Sequence, residues 1–336
     1  MYFLSSFLSI AVLLALLLPG FVLRKVRLVS DTAAKDLSGV LIYIGTPAMI
    51  FYCMMTVDIT LVTPVKVLAC LALCVMIHMI ALAAVRLGFR KSKDAGRKAA
   101  ASFSSIFSNC GFIGIPVTQI AVTFCDAFAG NESGALSEAM LYVTIFNVVF
   151  NLLNWTLGIF LYGGAEKKSV MARKAILNPC SVATLVALPF TLTGFSLLAP
   201  IDVNGFGITQ ISSFITYLYN ICVPISMCIL GVRLADMRAS VIVKDKYVYA
   251  VSAIKLLVVP AVTLAVTLLL DLWLGLGAPL IMAMTVMAAA PSATTALAFA
   301  ERFDGDSALA GGCIIVTTVL SVVTMPLFMT LATVFF

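Results

Sequence analysis

Runs of apolar residues long enough to cross a membrane recur about ten times along this chain, near 2–23, 37–56, 65–88, 99–128, 139–163, 180–200, 208–234, 247–271, 278–302 and 307–335. Roughly 20 residues of helix span a bilayer core. Within that layer only helices and closed barrels satisfy their own backbone hydrogen bonds. The chain is therefore expected to be an all-α polytopic membrane protein of ten transmembrane helices. Composition agrees, with 62% of residues hydrophobic and 11% charged, where soluble domains carry about 25% charged residues.

Charge then sets the orientation. Of the 21 Lys and Arg residues, all but Lys66 and Lys255 lie in or beside the connections that follow odd-numbered runs. Cytoplasmic connections carry such an excess, so the chain reads as a multi-pass plasma (inner) membrane protein with both termini outside. The first run is followed by Arg24, Lys25 and Arg27, with no basic residue before it and no small-residue cleavage site after it. It reads as a retained helix rather than a removed signal. The formal charge of +6 belongs to loops that face solvent or lipid headgroups. It gives no reason to expect nucleic acid as a partner; the partner it implies is the lipid bilayer.

All nine cysteines lie in or at the edge of the runs, without a CxxC pair, and His78 is the sole histidine. They read as small buried hydrophobes, and neither a metal site nor a cofactor is expected. His78, mid-run, reads as a satisfied core side chain, although an ionisable residue at such depth is also a functional candidate.

The chain also repeats itself. YIGTPAMIFYCM, with Pro47, is echoed by YNICVPISMCIL, with Pro224, at an offset of 177, and Pro116 and Pro291 recur at an offset of 175. Two five-helix halves follow, 1–163 and 180–336, joined by a cytoplasmic linker at 164–179. An odd number of crossings turns the second half upside down, the inverted-repeat plan of many secondary transporters.

The fourth and ninth runs carry their own breakers, SNCGFIGIPVTQ (Ser108 to Gln119) and APSATT (Ala290 to Thr295). Unwound backbone at mid-depth is tolerated only against protein or a watery cavity, which makes GIPVTQ and APSATT candidate cavity walls. Proline suits the first turn of a helix, so Pro116 and Pro291 are expected to begin new half-helices whose free amides approach each other from opposite sides. Such ends favour a small anion, for example a carboxylate. Thr118, Gln119, Ser292, Thr294 and Thr295 add hydrogen-bonding groups beside them. The plainer alternative is two kinked helices packed without a site. Whether Asn109 touches substrate or holds the broken backbone stays open.

Every Asp and Glu falls in a loop or at a run's end, Asp126, Asp271 and Glu301 lying nearest the interior. A carboxylate-based coupling-ion site is therefore not expected. The deepest charge is Lys255. It either snorkels to the cytoplasmic surface, neutralises the substrate's carboxylate, or fills the place of a coupling cation. Asn147, Asn151 and Asn154 share one face of the fifth run by i, i+4, i+7 spacing, as interhelical glue or as a cavity lining.

Over nearly its whole length the chain resembles the auxin efflux carrier family, the bacterial relatives of the plant auxin transporters. The resemblance rests on NCGFIGIPV in the fourth run, NPCSVATLVALPF at the sixth, VPISMCILGVRLA in the seventh, and AAAPSATTALAFAERFDGD leading into GGCIIVTTVLSVVTMPL across the ninth and tenth. It implies an NhaA-like, bile-acid-symporter-like fold with the fourth and ninth helices broken and crossing. Helices 1, 2, 6 and 7 would form a scaffold, often homodimeric, and helices 3–5 and 8–10 a moving transport domain. Mapped onto this chain, the family's binding region covers Asn109, Gly114, Pro116, Val117, Pro291, Ser292 and Ala293. With Gln119, Asn147, Asn151, Thr294 and Lys255 from the reading above, these form the candidate substrate-binding set. Asn178 and Pro179 match a family Asn-Pro that looks structural. The long central loop of the plant members is missing.

The function expected is alternating-access transport of small organic anions, such as auxin-like aromatic carboxylates or malate- and malonate-like acids. An electrogenic exit would need no coupling ion. The alternatives are a sodium-coupled symporter of the bile-acid type and a receptor without flux. A membrane-embedded hydrolase would need a cluster such as HExxH or paired intramembrane aspartates, and neither is present, so no enzyme is expected.

Overall fold

The computed structural model of the protein describes residues 2–30, 32–56, 62–90, 94–162, 177–199, 201–203, 206–236 and 245–336. Among the described residues seven helices are long and apolar enough to cross a membrane: α1 (Tyr2–Lys25), α2 (Ala33–Met55), α3 (Pro64–Gly88), α6 (Glu132–Leu161), α8 (Gln210–Asp236), α9 (Lys246–Leu274) and α12 (Ser307–Thr333). Three shorter apolar helices join them, α5 (Cys110–Thr123), α7 (Pro179–Thr193) and α10 (Ala278–Ala289). Two more, α4 (Ala95–Ile106) and α11 (Thr295–Arg302), and a single 3-10 turn at Asp126–Phe128 complete the set among the described residues. The protein is thus helical and polytopic. It also has one short antiparallel hairpin, β1 (Ile201–Val203) with β2 (Phe206–Ile208), which an all-α reading omits. Most of the 164–179 linker lies outside the described residues.

Local chemistry sets several boundaries. The sixth apolar run stops at Thr193, short of the expected residue 200, because Gly194 takes φ +71° and closes the helix in the left-handed conformation. Three of the prolines widen the helix ahead of themselves. Each of Pro47, Pro116 and Pro260 follows by two residues the end of a π turn, at Leu41–Gly45, Cys110–Gly114 and Ile254–Val258. Proline offers no amide hydrogen and crowds the carbonyl four residues back, so the ladder shifts to i→i+5 before it.

Asp94, Asp245 and Asp306 cap α4, α9 and α12 by accepting from the amides of Arg97, Tyr247 and Leu309 at 3.0, 2.9 and 2.9 Å. Arg97 gathers these three helix starts. Its guanidinium pairs with Asp245, reaches Asp306 at 3.5 Å, and lies 4.6 Å over the Tyr247 ring.

Helix α1 packs most closely on α8, and α2 on α7. A second group is built from α3, α4, α5, α6, α9, α10, α11 and α12. Within it α3 meets α4 as α9 meets α10, α4 meets α12 as α10 meets α6, and α5 meets α6 as α11 meets α12. Each contact therefore has a counterpart five apolar runs later. Helix α6 is the most buried of the long helices and α1 the least, which puts α6 at the centre and leaves side chains such as Leu8 and Val12 facing outward.

Candidate functional site

The fourth and ninth runs are both broken, and the breaks touch. Between α4 and α5 the chain is extended at Phe107 (φ −94°, ψ 120°), and between α10 and α11 at Ala290 (φ −60°, ψ 142°). Ser108 and Ser292 form an isolated antiparallel bridge there. The Asn109 amide donates to the Pro291 carbonyl at 2.7 Å, and the Ala293 amide to the Phe107 carbonyl at 2.9 Å. Two lengths of non-helical backbone thus satisfy each other, as burial requires.

The expectation that Pro116 opens the new half-helix is corrected by this geometry. The new helix starts at Cys110, with Asn109 as its N-cap, and Pro116 stands in the first turn of the α-helical part that follows the π turn. GIPVTQ is accordingly helical rather than unwound. Pro291 lies inside the second break, and its new helix opens at Thr295.

Side chains close the remaining backbone groups. The Ser292 hydroxyl donates to the Ser104 carbonyl at 2.7 Å, and the Ser292 amide donates to Thr317 Oγ1 at 3.1 Å. Lys255 is fully buried, so it does not snorkel. Its ammonium donates to Ser108 Oγ at 2.5 Å and reaches the Ala288 carbonyl at 3.4 Å. Ser108 follows the C-terminal end of α4, and Ala288 lies in the last turn of α10. A cation belongs where two such negative helix ends converge. Among the described residues Lys255 pairs with no carboxylate. Asp271 is occupied elsewhere, accepting from the Gly277 amide at 2.8 Å.

The N-terminal, positive ends of α5 and α11 lie along α6. Cys110 Sγ donates to Asn147 Oδ1 at 3.3 Å, and Thr295 Oγ1 donates to Asn154 Oδ1 at 3.4 Å. Asn151 sits between them, half-buried, its amide donating to the Asn147 carbonyl at 2.8 Å. Asn147 and Asn154 themselves are buried. For Asn109 the geometry answers the backbone half of the question left open by the sequence. Its backbone holds the break, its carbonyl also accepting from Ile113 and Gly114 at 3.2 and 3.1 Å. Its side-chain Nδ2 is buried without a partner among the described residues.

The other candidates take varied positions. Val117 is wholly buried in the core, and Thr118 donates to the Gly114 carbonyl at 2.8 Å. Gly114 leaves room for Met287, whose Cε would lie 2.5 Å from a Cβ there. Thr294 is the half-buried N-cap of α11, with no side-chain cap bond. Gln119 is half-buried and faces α8, its Nε2 donating to Tyr219 Oη at 3.3 Å, while Tyr219 stacks on Tyr52 of α2 at 4.1 Å. His78 lies buried between Phe107 and Phe146, Nδ1 on the Cys74 carbonyl at 2.7 Å. Sequence reasoning missed Ser104, Tyr52, Tyr219 and Thr317 as partners of this site. Ser108 carried one usable signal, a polar residue beside Asn109 at mid-run.

Residues 5–329 match the family described as membrane transport protein. The chain belongs to that family. It is the auxin efflux carrier family that the motifs resembled. The chain is also 27% identical to an uncharacterized transporter of Methanothermobacter thermautotrophicus, over 97% of this chain and 98% of that protein. A multi-pass membrane transport protein is thus the class to which the crossover must be fitted. Among the described residues no group of His, Cys, Asp and Glu could hold a metal ion, and the only charge at the crossover is the lysine's.

Proposed function

We propose that this protein is a secondary carrier that moves small organic anions across the plasma membrane by alternating access. The anion would bind where the first turns of α5 and α11 face α6, beside Asn109 and Asn151. The observation that carries this reading is Asn109, a buried amide donor without a partner at the start of a half-helix. Unpaired donors in a low-dielectric interior are costly. An anion at a helix N-terminus would satisfy both the amide and the backbone ends.

The ten apolar runs would then be ten crossings, with α4 and α5 together making the fourth and α10 and α11 the ninth. The close pairs of α1 with α8 and α2 with α7 support a scaffold, and the remaining helices a moving unit. Among the described residues only a few side-chain hydrogen bonds between the two groups are seen. Those of Tyr2 Oη to the Ala121 carbonyl at 3.0 Å and of Gln119 to Tyr219 are examples. A sparsely bonded apolar boundary can slide.

Lys255 supplies a fixed cation at the crossover, so no sodium ion is needed there. Each cycle then carries net negative charge, and an inside-negative potential drives exit. A thermal-stability screen of the detergent-solubilised protein against aromatic acids, dicarboxylates and short monocarboxylates identifies the substrate class. Proteoliposome flux of the stabilising acid, with sodium replaced by choline, is expected to be unchanged and to follow an imposed potential. Sodium-dependent flux, or flux indifferent to potential, overturns the mechanism, and binding without any flux overturns the carrier reading.

A further inference from the structure

Away from the crossover, one ion pair among the described residues joins the two helix groups. Arg233, in the last turn of α8, contacts Glu301 of α11 through Nη1 and Oε1 at 3.3 Å. Glu301 lies six residues beyond Thr295, about 9 Å along the helix from the positive end of α11 at the usual rise. The pair therefore stands between the bound-anion position of the carrier reading and the membrane face bearing the basic connections.

The two partners are held unequally. The Arg233 side chain is 24% exposed and the Glu301 side chain 52%. A guanidinium offers five donors in a fork that suits both oxygens of a carboxylate, yet this contact is single. Exposed ion pairs of this kind are weak. The next acid on α8, Asp236, does not compete, because Arg24 holds it at 2.5 Å. Lys255 is already engaged with Ser108 and Ala288. Arg233 is thus a partly buried cation whose other donors have no partner among the described residues, covered by a carboxylate that can leave.

We propose that Arg233 is a capture site for the carboxylate of the transported anion on the basic-loop side of the membrane, with Glu301 as the tethered carboxylate that the anion displaces. The inference rests on the carrier reading and adds to it a second, peripheral binding position. Exchange of one carboxylate for another keeps the guanidinium paired, so the anion would move toward the crossover without leaving the Arg233 charge uncovered. When the site empties, Glu301 returns and the guanidinium is again covered.

The test is radiolabelled malonate uptake by the full chain in proteoliposomes, with KM measured separately from each membrane face. Arg233→Gln is expected to raise KM from the basic-loop face by about tenfold, the loss of one charge-assisted contact. Glu301→Gln is expected to lower it, because the competing carboxylate is gone, and KM from the opposite face should hold for both variants. A mere latch between the helix groups would be broken equally by either substitution, so shifts in the same direction overturn the capture site. Should Arg233→Gln fail to fold, Arg233→Lys takes its place, and its KM from the basic-loop face is expected to rise while that of Glu301→Gln falls. Absence of malonate flux in the unaltered protein removes the carrier reading for this acid, and the capture site with it.

Discussion

The Lys255 ammonium donates to Ser108 Oγ at 2.5 Å, joining α9 to the break between α4 and α5. With the Ala288 carbonyl at 3.4 Å, it also touches the end of α10. One side chain therefore binds both halves of the crossover from the side of their negative ends. Because the lysine stands on a π turn just before Pro260, any change in that turn would re-aim it.

Replacing Lys255 by Met keeps the length and apolar stem but removes the cation and its donors. Proteoliposome uptake of the substrate anion is expected to fall by about two orders of magnitude, as for loss of a buried, charge-assisted contact at a working site. Protein should still be recovered from the membrane, with a lower melting temperature in detergent. Unchanged uptake would remove Lys255 from the mechanism.

Ser292 is tied to the crossover twice, through its hydroxyl to the Ser104 carbonyl and through its amide to Thr317. Ser292→Ala removes only the hydroxyl and leaves the Ser104 carbonyl buried without that donor. The expected loss is about 1–3 kcal/mol of stability, read as a fall in melting temperature. Thr317→Val should lower it as well, by removing the acceptor for the amide. Because the two groups belong to one network, the double variant should lose less than the two single losses combined.

How much of this was legible in the sequence depends on the kind of signal. The pairing of the fourth and ninth runs could be read from Pro116 and Pro291, because breakers at mid-depth need a structural reason. The placement of the first break could not, because Pro116 acts on the backbone ahead of it: the helix widens over Cys110–Gly114 and the extended turn falls at Phe107. Pro291 lies in its own extended segment, so two similar prolines give different local structures. The direction of Lys255 was also hidden. In a helix apolar all round no periodicity shows which face is inward, and a π turn shifts the register further. The contacts of Gln119 with Tyr219 and of Asn154 with Thr295 join residues far apart in the chain, and no local spacing encodes them.

The asparagines of α6 differ in burial and in partners. Asn147 and Asn154 are buried and bonded to the starts of α5 and α11, whereas Asn151 is half-buried between them. Asn147→Leu should therefore cost recoverable, monodisperse protein. Asn151→Leu should leave the melting temperature of the unliganded protein within a few degrees and weaken the shift produced by the anion. Equal loss of protein from both would make Asn151 glue and move the anion site away from α6.

Helices α1 and α8 meet backbone to backbone. A Cβ on Gly20 would lie 2.1 Å from the Cys228 carbonyl oxygen, and one on Gly231 would lie 2.0 Å from that of Leu17. These obstacles are main chain, so no side chain can swing aside; small residues permit such approach inside membranes. Gly20→Ala and Gly231→Ala must push the helices apart, at about 1–3 kcal/mol each for an overpacked contact. Gly39, in α2, has nothing within 4 Å of the same construction, so Gly39→Ala should be neutral or stabilising by about 0.5–1 kcal/mol through helix propensity. Melting temperatures of the three variants in one detergent test the difference. If α1 and α8 form a rigid scaffold pair, the surviving fraction of Gly20→Ala should also transport with unaltered KM from the face opposite the basic loops, because the crossover and its lysine lie in the other helix group and Arg233 acts on the basic-loop face. A changed KM from that opposite face would mean that the α1–α8 contact is remade during transport and that these helices move with the site.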